Sequence, residues 1–226
     1  MAILTLDNAS YVYRNRFQTV HAVREVSCTF EQGRCYAIVG KSGSGKTTLL
    51  SLLAGLELPT EGKTLFDGKP TTQMNCDEYR RDHAAVIYQS YNLFPRLTVM
   101  ENVCYPLHLK RLPRAEAKAR AEKELQAVGI VPAQFKRYPG QLSGGEQQRV
   151  AIARALAAGN EIILADEPTG NLDISNSEQV MGILLRLAHE ENRCVIVVTH
   201  DLEIASQADE VYMMRDGALE QENEPL

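Results

Sequence analysis

The sequence predicts an α/β fold: a mostly parallel central sheet flanked by helices, with an N-terminal antiparallel β subdomain and an inserted α-helical subdomain. Three observations carry that expectation. Four short apolar runs, 35–39 (CYAIV), 84–88 (AAVIY), 162–165 (IILA) and 194–199 (CVIVVT), lack the polar alternation of a half-exposed strand. Runs of this kind suit strands covered by helices on both faces of a parallel sheet. The first run leads through a glycine-rich loop into an apolar helix, Thr47 to Leu56. Between the strands at 84–88 and 162–165 the chain reads mostly as helix.

Taken in order, the N-terminus alternates like strand (ILTLDNASYVYR, then HAVREVSCTF), and Glu31-Gln32-Gly33 reads as a turn. In the helical stretch Ala117, Ala121, Leu125 and Val128 recur at helical spacing, and Glu116 is placed to pair with Arg120. A second helix former, EQQRVAIARALAA, runs from Glu146 to about Ala158. A third helix, about Ser175 to Glu191, returns the chain to the strand at 194. Past Met214, RDGALEQENEPL reads as a turn and a polar tail, with no further domain expected. The expected organisation is one domain over 1–226: a core with its β subdomain from 1–89 and 160–226, and a helical subdomain over approximately 90–159.

Bulk properties restrict the function classes. The chain has 226 residues, 44% of them hydrophobic, which supports a sizeable core. A net charge of −5 gives no reason to expect nucleic acid as a partner. No apolar run approaches the roughly 18 residues of a membrane span, and the N-terminus lacks the pattern of a secretory signal. The five cysteines, Cys28, Cys35, Cys76, Cys104 and Cys194, have neither metal-ligand nor redox spacing, as expected of thiols in a reducing, cytoplasmic setting.

GKSGSGKT, residues 40–47, fits the Walker A pattern and has the required setting between strand and helix, so the fold is expected to be a P-loop NTPase. Gly40, Lys41, Ser42, Gly43, Ser44 and Gly45 can wrap backbone N–H groups around phosphate oxygens, helped by the helix N-terminus. Lys46 can reach the β and γ phosphates, the Thr47 hydroxyl can bind Mg²⁺, and Thr48 joins them as a nucleotide contact. IILADEP delivers Asp166 and Glu167 at a strand end, where ligands sit in open α/β sheets. Asp166 suits a metal-binding role, and Glu167 that of a general base for the attacking water. Two further strands end in polar groups. Gln89 can sense Mg²⁺ or water, and His200 can hydrogen-bond the γ-phosphate.

LSGGEQQR, residues 142–149, raises a separate question. Ser143 and Glu146 form a capping box, yet Gly144 and Gly145 occupy the first turn of the helix, where each costs up to about 1 kcal/mol relative to alanine. Capping does not require them. Close approach of an anion to the exposed N–H groups does, and the phosphate loop already accounts for one nucleotide.

In their order, Walker A (40–47), Gln89, LSGGEQ (142–147), ADEP (165–168), NLD (171–173) and His200 resemble the ATP-binding cassettes of ABC transporters, over essentially the whole chain. The resemblance implies ATP and Mg²⁺ as cofactors and an ATP-dependent head-to-tail homodimer. In such a dimer Ser143, Gly144, Gly145 and Glu146 of one copy close on the ATP of the other. It further implies that Tyr13 stacks on adenine, with Tyr11 as the fallback, and that Asp173 lies in the loop coupling the two sites. With Glu167 and His200 in place, hydrolysis is expected. ADEPTGNLD and YNLFPRLTVMENVCYPL are most similar to the lipoprotein-releasing and macrolide-efflux branch (LolD/MacB-like), which implies export of lipoprotein, peptide or antibiotic-type substrates. A separate integral-membrane permease would then dock near Tyr91, Leu93, Phe94 and Tyr105, unless these residues pack in the helical subdomain, and would hold the cassette at the inner face of the membrane. The alternative is a soluble ABC ATPase for DNA, translation or cell-division roles. Against it, only 94 residues separate Thr47 from Leu142, without sustained heptads, and only one cassette is present.

Overall fold

The alternating N-terminal segments form a long antiparallel pair, β1 (Ala2–Arg14) and β2 (Thr19–Glu31). The computed structural model describes residues 2–221. β3 (Cys35–Val39) is buried at every position and leads through the loop 40–45 into α1 (Lys46–Leu53). The chain then returns to the antiparallel layer as β4 (Glu61–Phe66) and β5 (Lys69–Pro70), giving a sheet of order β2-β1-β4-β5. Helix α2 (Cys76–Asp82), capped by Asn75, feeds β6 (Ala84–Ile87).

Three helices follow before the chain re-enters the sheet. The Thr98–Glu101 capping box starts α3 (Val99–Leu109), and α4 (Arg114–Ala127) buries Ala117, Ala121 and Leu125 as their spacing predicts. Helix α5 (Gly144–Ala158) begins at Ser143 and stops at Gly159, whose φ of 74° is easily reached only by glycine. Next come β7 (Ile162–Asp166), α6 (Ile174–His189), β8 (Cys194–Thr199), α7 (Leu202–Ala205), β9 (Glu210–Arg215) and β10 (Ala218–Gln221).

The second sheet has the order β10-β9-β3-β8-β7-β6, parallel throughout except for β10. Its two faces explain the non-alternating runs. Ile163, Ala165, Val195 and Val197 pack into the core beneath α3–α6. Ile162, Leu164, Cys194, Ile196 and Val198 pack into a second core with α1 and the antiparallel sheet. Because successive side chains of a strand point to opposite faces, a strand covered on both sides must be apolar at every position. The strand ends carrying Gly40, Gln89, Asp166 and His200 therefore gather at one edge of this sheet.

Two local expectations are corrected. The segment after Met214 is not a turn and polar tail as far as Gln221. Asp216 (φ 48°) and Gly217 (φ 87°) make a tight turn, and Ala218–Gln221 pairs back on β9. The Asp-Gly pair was the hairpin signal. Residues 222–226 of that tail lie outside the described residues. On α4 the ion pair is Lys118–Glu122 at 3.7 Å, not Glu116–Arg120. Arg120 turns instead to the α5 terminus, where its guanidinium lies against Gly159 and complements the negative end of the helix dipole.

Candidate functional site

The phosphate loop is shaped by its glycines. Gly45 caps α1 at φ 106°, a left-handed conformation that L side chains rarely adopt. A Cβ there would also strike the backbone of Ala22 and lie 2.8 Å from the Met214 methyl. Gly43, at φ 80°, faces open space. Lys46 is only 7% exposed, and its ammonium donates to the carbonyls of Gly40 (2.7 Å) and Lys41 (3.0 Å). Two of its three N–H donors are thus engaged and one is left for a phosphate oxygen. The buried Ser44 hydroxyl makes no hydrogen bond. Loop, lysine and hydroxyl fit a phosphate chain.

Opposite the loop, the Thr47 hydroxyl donates to Asp166 Oδ1 at 3.4 Å. Burial pushes the Asp166 carboxyl above its ordinary range, and the charge of Glu167 adds to the shift; the Thr47 hydrogen bond and Lys46 oppose it. Thr47, Asp166 and the Gln89 amide offer the neutral and anionic oxygens that Mg²⁺ prefers. Among the described residues no three His, Cys, Asp or Glu side chains converge as a metal cage, so phosphate oxygens and water would have to complete the coordination. Glu167 stands at φ 49°, outside the regions an ordinary residue prefers, with its N–H tied to the Val198 carbonyl (2.8 Å). Its Oε2 lies 2.8 Å from His200 Nδ1. A strained backbone turning a carboxylate toward the loop is common at reactive sites.

These groups line one cleft of ≈ 1100 Å³. Lys41 to Thr48, Gln89, Asp166, Glu167, His200 and Tyr13 all face it. Gly40 sits just behind, its Cβ position 2.6 Å from Ser44 Oγ. Tyr13 is partly exposed at the mouth, with its hydroxyl 3.3 Å from Thr48. Tyr11 is turned away: its hydroxyl donates to Glu57 (2.7 Å), and that bond leads the rise of its pKa to about 12. Val20, His21, Ala22 and Arg24 of β2, together with Asp216 and Gly217, also line the cleft, and none of them stands in a motif read from the sequence. The β2 residues belong to no motif, since a neighbouring sheet brings them there. Only the Asp-Gly turn carried a signal.

None of Ser143, Gly144, Gly145 and Glu146 lines this cleft. The capping box forms as expected: Ser143 Oγ accepts from the Glu146 N–H (3.3 Å), and Glu146 Oε2 accepts from the Ser143 N–H (2.7 Å). Gln134 donates to the other Glu146 oxygen (2.5 Å). The Ser143 hydrogen bond, chiefly, holds the Glu146 carboxyl below its usual range. That carboxylate is engaged within its own chain, as the reciprocal half of the Ser143 cap and the acceptor of Gln134.

The glycines have a reason inside the chain as well. A Cβ at Gly144 would lie 2.9 Å from the Tyr91 hydroxyl. At Gly145 it would fall 2.6 Å from Asn176 Cγ and 3.2 Å from Asn176 Cβ. Asp173 caps α6 and accepts from both the Asn176 N–H and its side-chain amide, each at 2.9 Å. Of the four residues expected at the permease surface, Tyr91 and Leu93 are half-buried, Leu93 against the core. Phe94 (39% exposed) and Tyr105 (40%) stand out as a ring pair with centroids 4.6 Å apart.

The profile of the ABC transporter family matches residues 23–170. The uncharacterized ABC transporter ATP-binding protein YclH of Bacillus subtilis is 39% identical over 92% of this chain and 92% of its own length. The macrolide export ATP-binding/permease protein MacB of Neisseria meningitidis is 42% identical over 97% of this chain, which spans 34% of that protein. Among solved structures, the dimeric ABC transporter cassette MJ0796, 37% identical, superposes with a TM-score of 0.89 over 96% of both chains. A dimeric post-hydrolysis state of MJ0796 bound to ADP and Pi gives 0.90 at 36% identity over 97% of both.

Proposed function

The chain belongs to the ABC transporter family and is an ATP-hydrolysing cassette, and from that premise we propose that it is the energy subunit of a transporter or mechanotransmission complex. It works as an ATP-dependent head-to-tail homodimer on a separate integral-membrane permease, at the cytoplasmic face of the membrane. Likeness to the lipoprotein-releasing and macrolide-efflux branch favours export of a lipoprotein, peptide or antibiotic-type substrate. Residues 1–89 and 160–226 act as the nucleotide-holding core, and about 90–159 as the subdomain facing the permease through Phe94 and Tyr105.

One observation carries the dimer. The glycine-rich helix start at Ser143–Gly145, with its N–H groups and an unspent hydroxyl hydrogen, lies away from the chain's own cleft. A second copy supplies a phosphate for it to meet. In each composite site Tyr13 stacks on adenine, and the loop N–H groups and Lys46 bind the phosphates. Thr47, Asp166 and Gln89 would hold Mg²⁺, which when bound neutralises phosphate charge. Glu167 orients the attacking water and takes its proton, while His200, already 2.8 Å from that carboxylate, donates toward the γ-phosphate. Asp173 sits at the boundary between copies. Sizing the Glu167→Gln variant with and without ATP tests the reading. A mass that doubles with ATP supports it, and an unchanged mass overturns it.

A further inference from the structure

Gln89 lines the cleft and Phe94 stands exposed only five residues later. Between them the backbone passes through two consecutive left-handed residues, Tyr91 (φ 61°) and Asn92 (φ 47°). Asparagine tolerates that conformation, but a bulky tyrosine holds it only with outside support. The support comes from α5. Arg154 donates from one guanidinium nitrogen to the Asn92 carbonyl (2.6 Å) and from the other to the Tyr91 carbonyl (3.1 Å). Both acceptors are main chain, so the fork fixes the path of the loop itself. Tyr91 also reaches the first turn of α5, its hydroxyl against Gly144. Arg154 lies ten residues further along that helix, so the loop is joined to α5 at two points roughly 15 Å apart along its axis. On its other flank, Asn102 of α3 binds the N–H and the carbonyl of Phe94 (2.8 and 3.1 Å).

We propose that Arg154 is the positioning residue that locks the loop after Gln89 to helix α5, so that the Phe94–Tyr105 surface and Ser143–Gly145 move as one body. This rests on the reading of Ser143–Gly145 as the segment that closes a partner's site. A push on Phe94 reaches the helix start instead of being absorbed by a flexing loop. Conversely, the helix start is held in its closing orientation by the loop. Arg154 does not line the cleft, so its loss should leave mononucleotide binding intact and weaken closure.

The test uses Arg154→Gln and Arg154→Lys in the full chain, in the Glu167→Gln background for dimerisation. Three quantities are read: binding of a fluorescent ADP analogue, amide exchange over 90–95 and 143–147 without nucleotide, and the ATP-dependent dimer constant. For Arg154→Gln we expect ADP affinity within about twofold, faster exchange in both segments, and a dimer weakened about tenfold or more, since two charge-assisted hydrogen bonds are lost. Arg154→Lys, which keeps the charge but not the fork, should fall between Gln and the parent. A variant that is merely less well folded would lose ADP binding along with closure. If Arg154→Gln does not fold, the Lys variant decides, and parental exchange and dimerisation in it overturn the proposal. Exchange that rises only in 90–95, with 143–147 and the dimer unchanged, also overturns it. Should the Glu167→Gln parent itself fail to dimerise with ATP, the head-to-tail reading falls, and exchange at 143–147 in Arg154→Gln still decides whether the lock exists.

Discussion

Replacing Gly145 with alanine sets two opposed effects against each other. Helix propensity favours alanine by up to about 1 kcal/mol, less in a first turn than in the interior. Against that, the new methyl would sit 2.6 Å from Asn176 Cγ and 3.2 Å from Asn176 Cβ. Asn176 cannot simply swing aside. Its amide is held by Asp173, and its oxygen accepts from Arg149 at 3.0 Å. Overpacking of this kind costs about 1–3 kcal/mol, and displacing Asn176 gives up hydrogen bonds worth about 1 kcal/mol or more each. The steric side wins, and we expect Gly145→Ala to destabilise the fold by about 2 kcal/mol, a Tm loss of roughly 4–8 °C for a chain of this size. Asn176→Ala removes the nearest obstructing atoms, Cγ and its amide, and leaves only Cβ at 3.2 Å, so the double variant should recover part of the loss, with a coupling of about 1 kcal/mol in a double-mutant cycle by urea or thermal unfolding. Hydrolysis should stay low in the stabilised double variant, because a methyl group still screens the helix N–H groups from a partner's phosphate. A Gly145→Ala protein more stable than its parent, or strict additivity with Asn176→Ala, would refute the packing argument. Full ATPase activity in the double variant would refute the phosphate argument.

Three further outcomes follow from the same geometry. Burial raises the Asp166 pKa, so the carboxyl adds no penalty to folding while it is protonated in both states, and the penalty appears as pH rises through its folded-state value. Asp166→Asn should therefore raise the neutral-pH Tm while abolishing hydrolysis, and the Tm gap should close as pH falls through the carboxylate range; a gap that widens on acidification contradicts this. Gly182 lies exposed within α6 with nothing within 4 Å of a Cβ, so Gly182→Ala should stabilise by about 0.5–1 kcal/mol with unchanged turnover. Tyr13→Ala should weaken ATP binding about five- to tenfold, as loss of a stacking face predicts, and Tyr11→Ala much less; equal losses in a binding titration would restore Tyr11 as the adenine contact.

Much of the site was legible because it is local. Residues 40–48 are a strand, a turn and a helix start in one stretch of chain, and the backbone conformations they need are written in their glycines. Asp166, Glu167, Gln89 and His200 were legible for a related reason: each ends an apolar run, and runs in one parallel sheet end at one edge. Less legible were segments whose conformation depends on a distant neighbour. β4 and β5 carry little periodicity: β4 pairs through its backbone with β1, from the chain's far start, and β5 pairs with β4. Arg120 could be assigned a helix-surface partner by spacing, but the terminus of another helix competed for it and won.

By itself, the sequence determined the four apolar core strands, the main helices between them, the phosphate loop and the set of polar groups at the strand ends, because hydrophobic period, glycine conformation and capping act over a few residues. Only the tertiary structure decided that Gln134 takes the second oxygen of the Glu146 cap, that Gly145 faces Asn176, and that β2 completes the cleft. It also decided that Arg154 grips the loop beyond Gln89. Each of these is a contact between segments far apart in the chain, set by how the two cores pack against the sheet, and no local pattern encodes a distance of that kind.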